Sequence, residues 1–193
     1  MLYLIRHGHT AHNALDEVHG LLDDPLDERG LAEADAIGRL FIGVALSAVY
    51  ASPLRRAVET ATPLARTAGL DVIEVHEVLD RDYGPWTGHL KRTVIAEFGS
   101  LDAAPGVEPW TTFTARVTAG FDALVARHHG ERVAVIAHDA VNQALLLSLF
   151  PDRWADHTAI TQRNGCWNRI EPARPSGWIL GVFDALPGDD HVP

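Results

Sequence analysis

The chain has 193 residues, 47% of them hydrophobic and 22% charged, with a formal net charge of −10. That is the size and balance of one globular domain over residues 1–193, and so acidic a surface argues against nucleic acid, which selects basic stripes. No apolar run approaches the ~20 residues that span a bilayer, no basic n-region opens the chain, and the single cysteine, Cys166, excludes an internal disulfide framework; a cytoplasmic protein with no membrane partner is the simplest reading.

Leu2 to Ile5 reads as a short buried strand. Gly30 to Phe41 carries Leu31, Ala34, Ile37, Leu40 and Phe41 at helical spacing, with Asp27 placed to cap it. Ala45 to Ala51 is a second strand, ending at Ser52-Pro53, and Leu54 to Ala68 a helix that stops at Gly69. Asp71 to Val75 is a third strand. The pattern then weakens: Gly84-Pro85-Trp86-Thr87-Gly88 is a turn-rich loop, Leu90 to Phe98 a short helix, and residues 100–109 a loop. A long helix covers Thr111 to His128, where His128 and His129 suit the negative end of the dipole. Arg132 to Ala137 is continuously apolar, as a buried parallel strand should be. A helix follows from Ala140 to Phe150, then strands at Cys166–Ile170 and Trp178–Phe183, then a polar tail over 187–193 that is expected to be loose. This alternation predicts an α/β three-layer sandwich, a mostly parallel central sheet with helices on both faces.

Arg6 and His7 stand where the first strand ends. A cation and an imidazole pack poorly in a core, but open α/β sheets bind ligands just beyond the carboxyl ends of their strands. Three later segments are placed in the same way: Ser52 through Arg55, Arg56 and Thr60 to Ala61; Leu79 and Asp80 through Gly88; and Val135-Ile136-Ala137-His138-Asp139. Phosphoryl transfer needs a nucleophile in line with the leaving oxygen and positive charge on the equatorial oxygens. A neutral imidazole is a competent nucleophile near pH 7, and nearby Arg⁺ would keep it unprotonated while holding the phosphoryl oxygens. Because the net charge repels an anion at long range, such local cations must supply the attraction.

The run Leu4-Ile5-Arg6-His7-Gly8-His9-Thr10-Ala11-His12-Asn13 resembles the opening motif of the histidine phosphatase (phosphoglycerate mutase-like) superfamily, and the other three segments follow in the family's order. The resemblance, spread over about residues 2–145, implies that His7 is the nucleophile, that Arg6, Asn13, Arg56 and His138 hold phosphate, and that the reaction needs no metal and no cofactor. The family's arginine directly precedes alanine, which selects Arg56 over Arg55. Its usual proton donor is a Glu where this chain has Asp80, shorter by one methylene. Asp139 is the rival, because His138-Asp139 with Asn142 resembles the acid phosphatase branch; its plainer role is a helix N-cap, which Asp favours. Asp80 is the preferred donor. His19 and Gly20 correspond to residues at the family's pocket mouth, and Trp86, Lys91, Arg92, Trp110 and the loop over 161–165 are further candidates for the substrate end. The expected activity is hydrolysis of a small phosphorylated metabolite by a protein that could form a homodimer. The rivals are a mutase, a phosphohistidine phosphatase and a phosphate-binding module without turnover.

Overall fold

The computed structural model describes residues 1–191 and 193. Six strands form one sheet in the order β3-β2-β4-β1-β5-β6. The strands are β1 (Leu2–Arg6), β2 (Ala48–Ala51), β3 (Val72–Glu74), β4 (Val133–Ala137), β5 (Trp167–Pro172) and β6 (Trp178–Ala185). β1 pairs parallel with β4, and β2 pairs parallel with β4 and β3. β5 runs antiparallel to both β1 and β6, so one strand of six opposes the rest.

The period-two alternation of β1 explains the layers. Tyr3 and Ile5 point to one face, where they meet Ile37, Phe41, Ala57, Ala61 and Leu64. Those residues belong to α2 (Glu28–Leu40), the turn that ends it, and α3 (Arg55–Ala68). Leu2 and Leu4 point to the other face, against Phe113, Val117 and Phe121 of α5 (Trp110–Arg127) and Val141, Leu145 and Leu146 of α6 (Asp139–Leu149). Two further helices, α1 (Ala11–Leu15) and α4 (Lys91–Phe98), lie outside these two layers. Asp27 caps α2 as expected, accepting the Gly30 N–H at 2.8 Å.

Most element ends shift by one or two residues from the sequence reading, β5 for example running Trp167–Pro172 and not Cys166–Ile170. β2 begins at Ala48, not Ala45, and α1 was not foreseen, since five residues carry no readable period. In the tail, the exposed Asp189 accepts the Leu186 N–H at 2.8 Å and lies 3.5 Å from Arg163. Val192 lies outside the described residues. No helix among the described residues is long and apolar enough to cross a membrane.

Candidate active site

β1 and β4 are adjacent and parallel, so their carboxyl ends bring residues 6–7 and 138–139 together. The His7 and His138 rings lie 5.2 Å apart. His7 is buried, and its Nδ1 sits 2.7 Å from the Gly8 carbonyl oxygen. A carbonyl only accepts, so Nδ1 carries the proton and Nε2 is left with its lone pair. Burial, then the charges of Arg56 and Arg6, hold the His7 pKa well below the ordinary histidine value. The imidazole is therefore neutral and nucleophilic at physiological pH.

The loop bearing His7 is fixed by backbone. The Gly8 N–H donates to Thr60 Oγ1 at 3.0 Å, and the His7 carbonyl accepts from Gly165 N at 3.1 Å. Gly30 packs so closely that a Cβ there would stand 2.0 Å from the His9 carbonyl oxygen. No side chain fits that gap, which is the physical reason for glycine here.

Arg56 is fully buried at the start of α3. It donates to the Leu22 carbonyl at 2.5 Å, Asp24 at 3.0 Å, the Gly20 carbonyl at 2.9 Å and Asp80 at 3.1 Å. Two carboxylates and two carbonyls thus hold one desolvated guanidinium, as a buried charge requires. Arg55, by contrast, is exposed and pairs with Glu59 at 2.7 Å along the helix surface. Arg6 donates to the Gln162 carbonyl and lies 3.7 Å from Asp139.

Among the described residues, Arg6 Nε, Arg56 Nε and both ring nitrogens of His138 are buried without a protein hydrogen-bond partner. Orphaned buried donors are uncommon and call for an explanation. The His138 ring lies 5.2 Å from His7, on which the charges of Arg56 and Arg6 act, and α6 begins at the same point, with His138 as its N-cap residue. A helix N-terminus beside two guanidinium groups suits a tetrahedral anion. Of the four expected phosphate ligands, Arg6 and Asn13 line the cavity, whereas the fully buried Arg56 and His138 are not among its lining residues. Asn13 Oδ1 accepts from Thr10 N at 3.2 Å and Asn164 Nδ2 at 3.0 Å, which leaves its amide NH₂ as the end that can meet an anion.

Three carboxyl groups line this cavity, those of Asp80, Asp102 and Asp139, and Asp102 is taken up by Arg81. Asp80 is buried, with Oδ1 accepting the Arg81 N–H at 2.9 Å and Oδ2 lying 3.8 Å from His138 Nδ1. Burial raises its pKa above the usual carboxylate value even though Arg56 pulls it down. Asp139 is partly exposed and its pKa is also raised by burial, against the pull of Arg6. Asp139 is not the N-cap: that position belongs to His138, and the Asp139 carboxyl is aimed at Arg6 and the cavity instead of the helix backbone.

The cavity holds about 480 Å³. His19 lines it, with Nε2 2.7 Å from Thr10 Oγ1. Gly20 does not; with φ at +53° it turns its carbonyl onto Arg56, and so shapes the site indirectly. Trp86 also lies outside the lining: its ring packs 4.8 Å from Phe98 and its N–H donates to the Pro105 carbonyl at 2.8 Å. Lys91 and Trp110 do line the cavity, whereas Arg92 does not. The sequence reading missed Arg81, Tyr83, Asp102 and His157. Arg81 is buried, pairs with Asp102 and stacks over Trp110 at 5.3 Å, while His157 stacks on the same indole at 3.7 Å. They stand on irregular segments far apart in the chain, where no periodicity marks them.

Comparison with known proteins agrees with this geometry. The profile of the histidine phosphatase superfamily (branch 1) matches residues 2–185. Phosphoserine phosphatase 1 of Hydrogenobacter thermophilus is 28% identical over 158 residues, covering 77% of this chain and 75% of its own. The metal-independent phosphoserine phosphatase of Arabidopsis thaliana is 30% identical over 161 residues, covering 77% and 68%. A mycobacterial glucosyl-3-phosphoglycerate phosphatase, solved in complex with VO3, superposes with a TM-score of 0.85 at 25% identity, covering 95% of this chain and 98% of that one.

Proposed function

This chain belongs to the histidine phosphatase superfamily (branch 1), and on that footing we propose that it is a phosphoric monoester hydrolase that cleaves a small phosphomonoester through a phosphohistidine on His7. The observation that carries this reading is the neutral His7, its Nδ1 proton engaged by the Gly8 carbonyl, close to the His138 ring and under the charges of Arg56 and Arg6, whose Nε groups have no protein partner among the described residues. Nε2 attacks phosphorus opposite the ester oxygen; the N–P bond forms as the P–O bond breaks, and the bonding pair leaves with that oxygen. Protonated Asp80 gives its proton to the leaving oxygen. The Asp80 carboxylate then takes a proton from water, whose oxygen attacks phosphorus. The N–P pair returns to Nε2 and inorganic phosphate departs. The cations act on charge that grows in the transition state, the kind of contact that accelerates the step.

Two features support a substrate that is charged at its far end. Lys91 lines the cavity and could meet a carboxylate, while Asp102, which pairs with Arg81, lines it and could meet an ammonium. The relatives named above act on phosphoserine and glucosyl-3-phosphoglycerate, so those two compounds and an aryl phosphate form the first panel. Phosphate release from at least one is expected, falling to background in His7→Ala. A phosphoenzyme trapped by quenching should be acid-labile and absent from the same variant. Turnover that persists in His7→Ala would refute the nucleophile; a phosphoenzyme without phosphate release would point to transfer in place of hydrolysis.

A further inference from the structure

We propose that His12, His19 and Asp24 form a binding site for one divalent ion of the zinc class, which clips α1 to the irregular segment over residues 16–27 and takes no part in turnover. His12 comes from α1, while His19 and Asp24 come from that segment. One ligand atom from each lies within 4.8 Å of the others. Asp24 Oδ2 stands 3.2 Å from His12 Nδ1 and 3.4 Å from His19 Nε2. In a tetrahedral zinc site with bonds of about 2.0–2.2 Å, neighbouring donors lie about 3.3–3.6 Å apart. Two of the three edges are thus near their bound lengths, and the third, between the two imidazoles, lies within 4.8 Å and shortens on binding.

The donor chemistry selects the ion. Two imidazoles and one carboxylate suit zinc and its neighbours, whereas magnesium and calcium prefer all-oxygen sites. The surroundings are those that orient ligands. Arg56 holds Asp24 Oδ1 at 3.0 Å, which keeps Oδ2 turned toward the imidazoles. The far nitrogen of His12 lies 3.7 Å from Glu17 Oε2, so a carboxylate of the kind that orients ligand histidines stands within ion-pair reach. His19 exchanges its 2.7 Å contact with Thr10 Oγ1 for the ion, leaving a fourth position to water. Because His19 lines the cavity, the clip sits beside the phosphate pocket without including His7. Without an ion, the same side chains make a hydrogen-bonded triad, so binding itself is what must be measured.

The test is calorimetric titration of the chelator-stripped full chain with Zn²⁺, alongside thermal melts and phosphate release. One ion per chain is expected. At a free Zn²⁺ concentration 100-fold above its Kd, Tm should rise by about 5–10 °C. His12→Ala should weaken binding by 100-fold or more and abolish the rise, while its circular dichroism and metal-free turnover match the parent. Glu17→Gln should weaken binding by about 10-fold. Absence of saturable binding, or unchanged affinity in His12→Ala, overturns the site. Loss of turnover in the stripped parent overturns the claim that the ion is a clip and not a catalyst.

Discussion

Replacing Asp80 by Asn tests the proton donor directly. The amide oxygen can still accept the Arg81 N–H now held at 2.9 Å, but the other end faces Arg56, 3.1 Å away, with a donor where an acceptor stood. Removing one partner of a buried pair costs about 3–5 kcal/mol. Arg56 keeps Asp24 at 3.0 Å and two carbonyls, so the loss should lie at or below the lower end, about 2–3 kcal/mol, and the fold should survive. The catalytic cost depends on the leaving group. A general acid contributes about 10²–10⁴-fold, or roughly 2.7–5.5 kcal/mol of barrier, but only where the departing oxygen needs the proton. The kcat/KM of an alkyl phosphate such as phosphoserine should therefore fall by two to four orders of magnitude, and that of an aryl phosphate by less than about tenfold. Steady-state kcat/KM on both substrates, which reports phosphorylation of His7 and not hydrolysis of the shared phosphoenzyme, is the assay for Asp80→Asn and Asp139→Asn. Equal losses on the two substrates would mean that Asp80 only positions Arg56. The leaving-group dependence appearing in Asp139→Asn would transfer the role to Asp139.

Stability should rise as pH climbs from about 5 toward 6.5. Burial holds the pKa values of both His7 and His138 well below 6.5, so the unfolded chain binds more protons than the folded one, and the stability these two contribute is complete above 6.5 and lost as pH falls toward their folded values. Each contributes a slope of up to about 1.4 kcal/mol per pH unit; in urea melts His138→Gln should reduce the slope, and an unchanged slope would contradict the assignment. Gly30→Ala would drive a Cβ into the His9 backbone; a loss of about 3 kcal/mol or more, with lower kcat, is expected in thermal melts and kinetics, and a variant as stable as the parent would deny the close approach. The alkaline fall in rate should reflect the raised Asp80 pKa. In a pH series it should lie at higher pH in kcat than in kcat/KM, and the same position in both would deny any coupling between substrate and donor.

The sheet and its two helical layers were legible because period and composition speak for them. Val133–Ala137 reads as a buried parallel strand because helices cover both of its faces, and its burial is unbroken. Arg6, His7 and His138 were legible as a set because parallel neighbours deliver their ends to one place. Trp86 shows the limit of residue type as a guide: an indole suits a binding wall, but here its N–H and its face are both used to tie the Gly84 loop to Phe98 and Pro105. Asp139 shows a second limit. Position near a helix start suggested a cap, yet one residue of offset makes His138 the N-cap and turns the carboxyl to the cavity. Arg81, Asp102 and His157 were invisible because their meeting depends on how three loops fold over Trp110, which no local pattern encodes.

The shared contact of Asp80 and Arg56 joins the two halves of the proposed reaction. Arg56 lowers the Asp80 pKa while burial raises it, so the balance depends on how much of the Arg56 charge Asp80 feels. A phosphate dianion drawn to Arg56 would offset that charge and bring like charge toward the carboxylate. Both changes favour the protonated acid. Substrate would thus prepare its own proton donor, and dissociation of phosphate would restore the ion pair. A shorter Asp in place of Glu is consistent with this arrangement, because the 3.1 Å contact to Arg56 fixes the carboxyl beside the group that senses the phosphate.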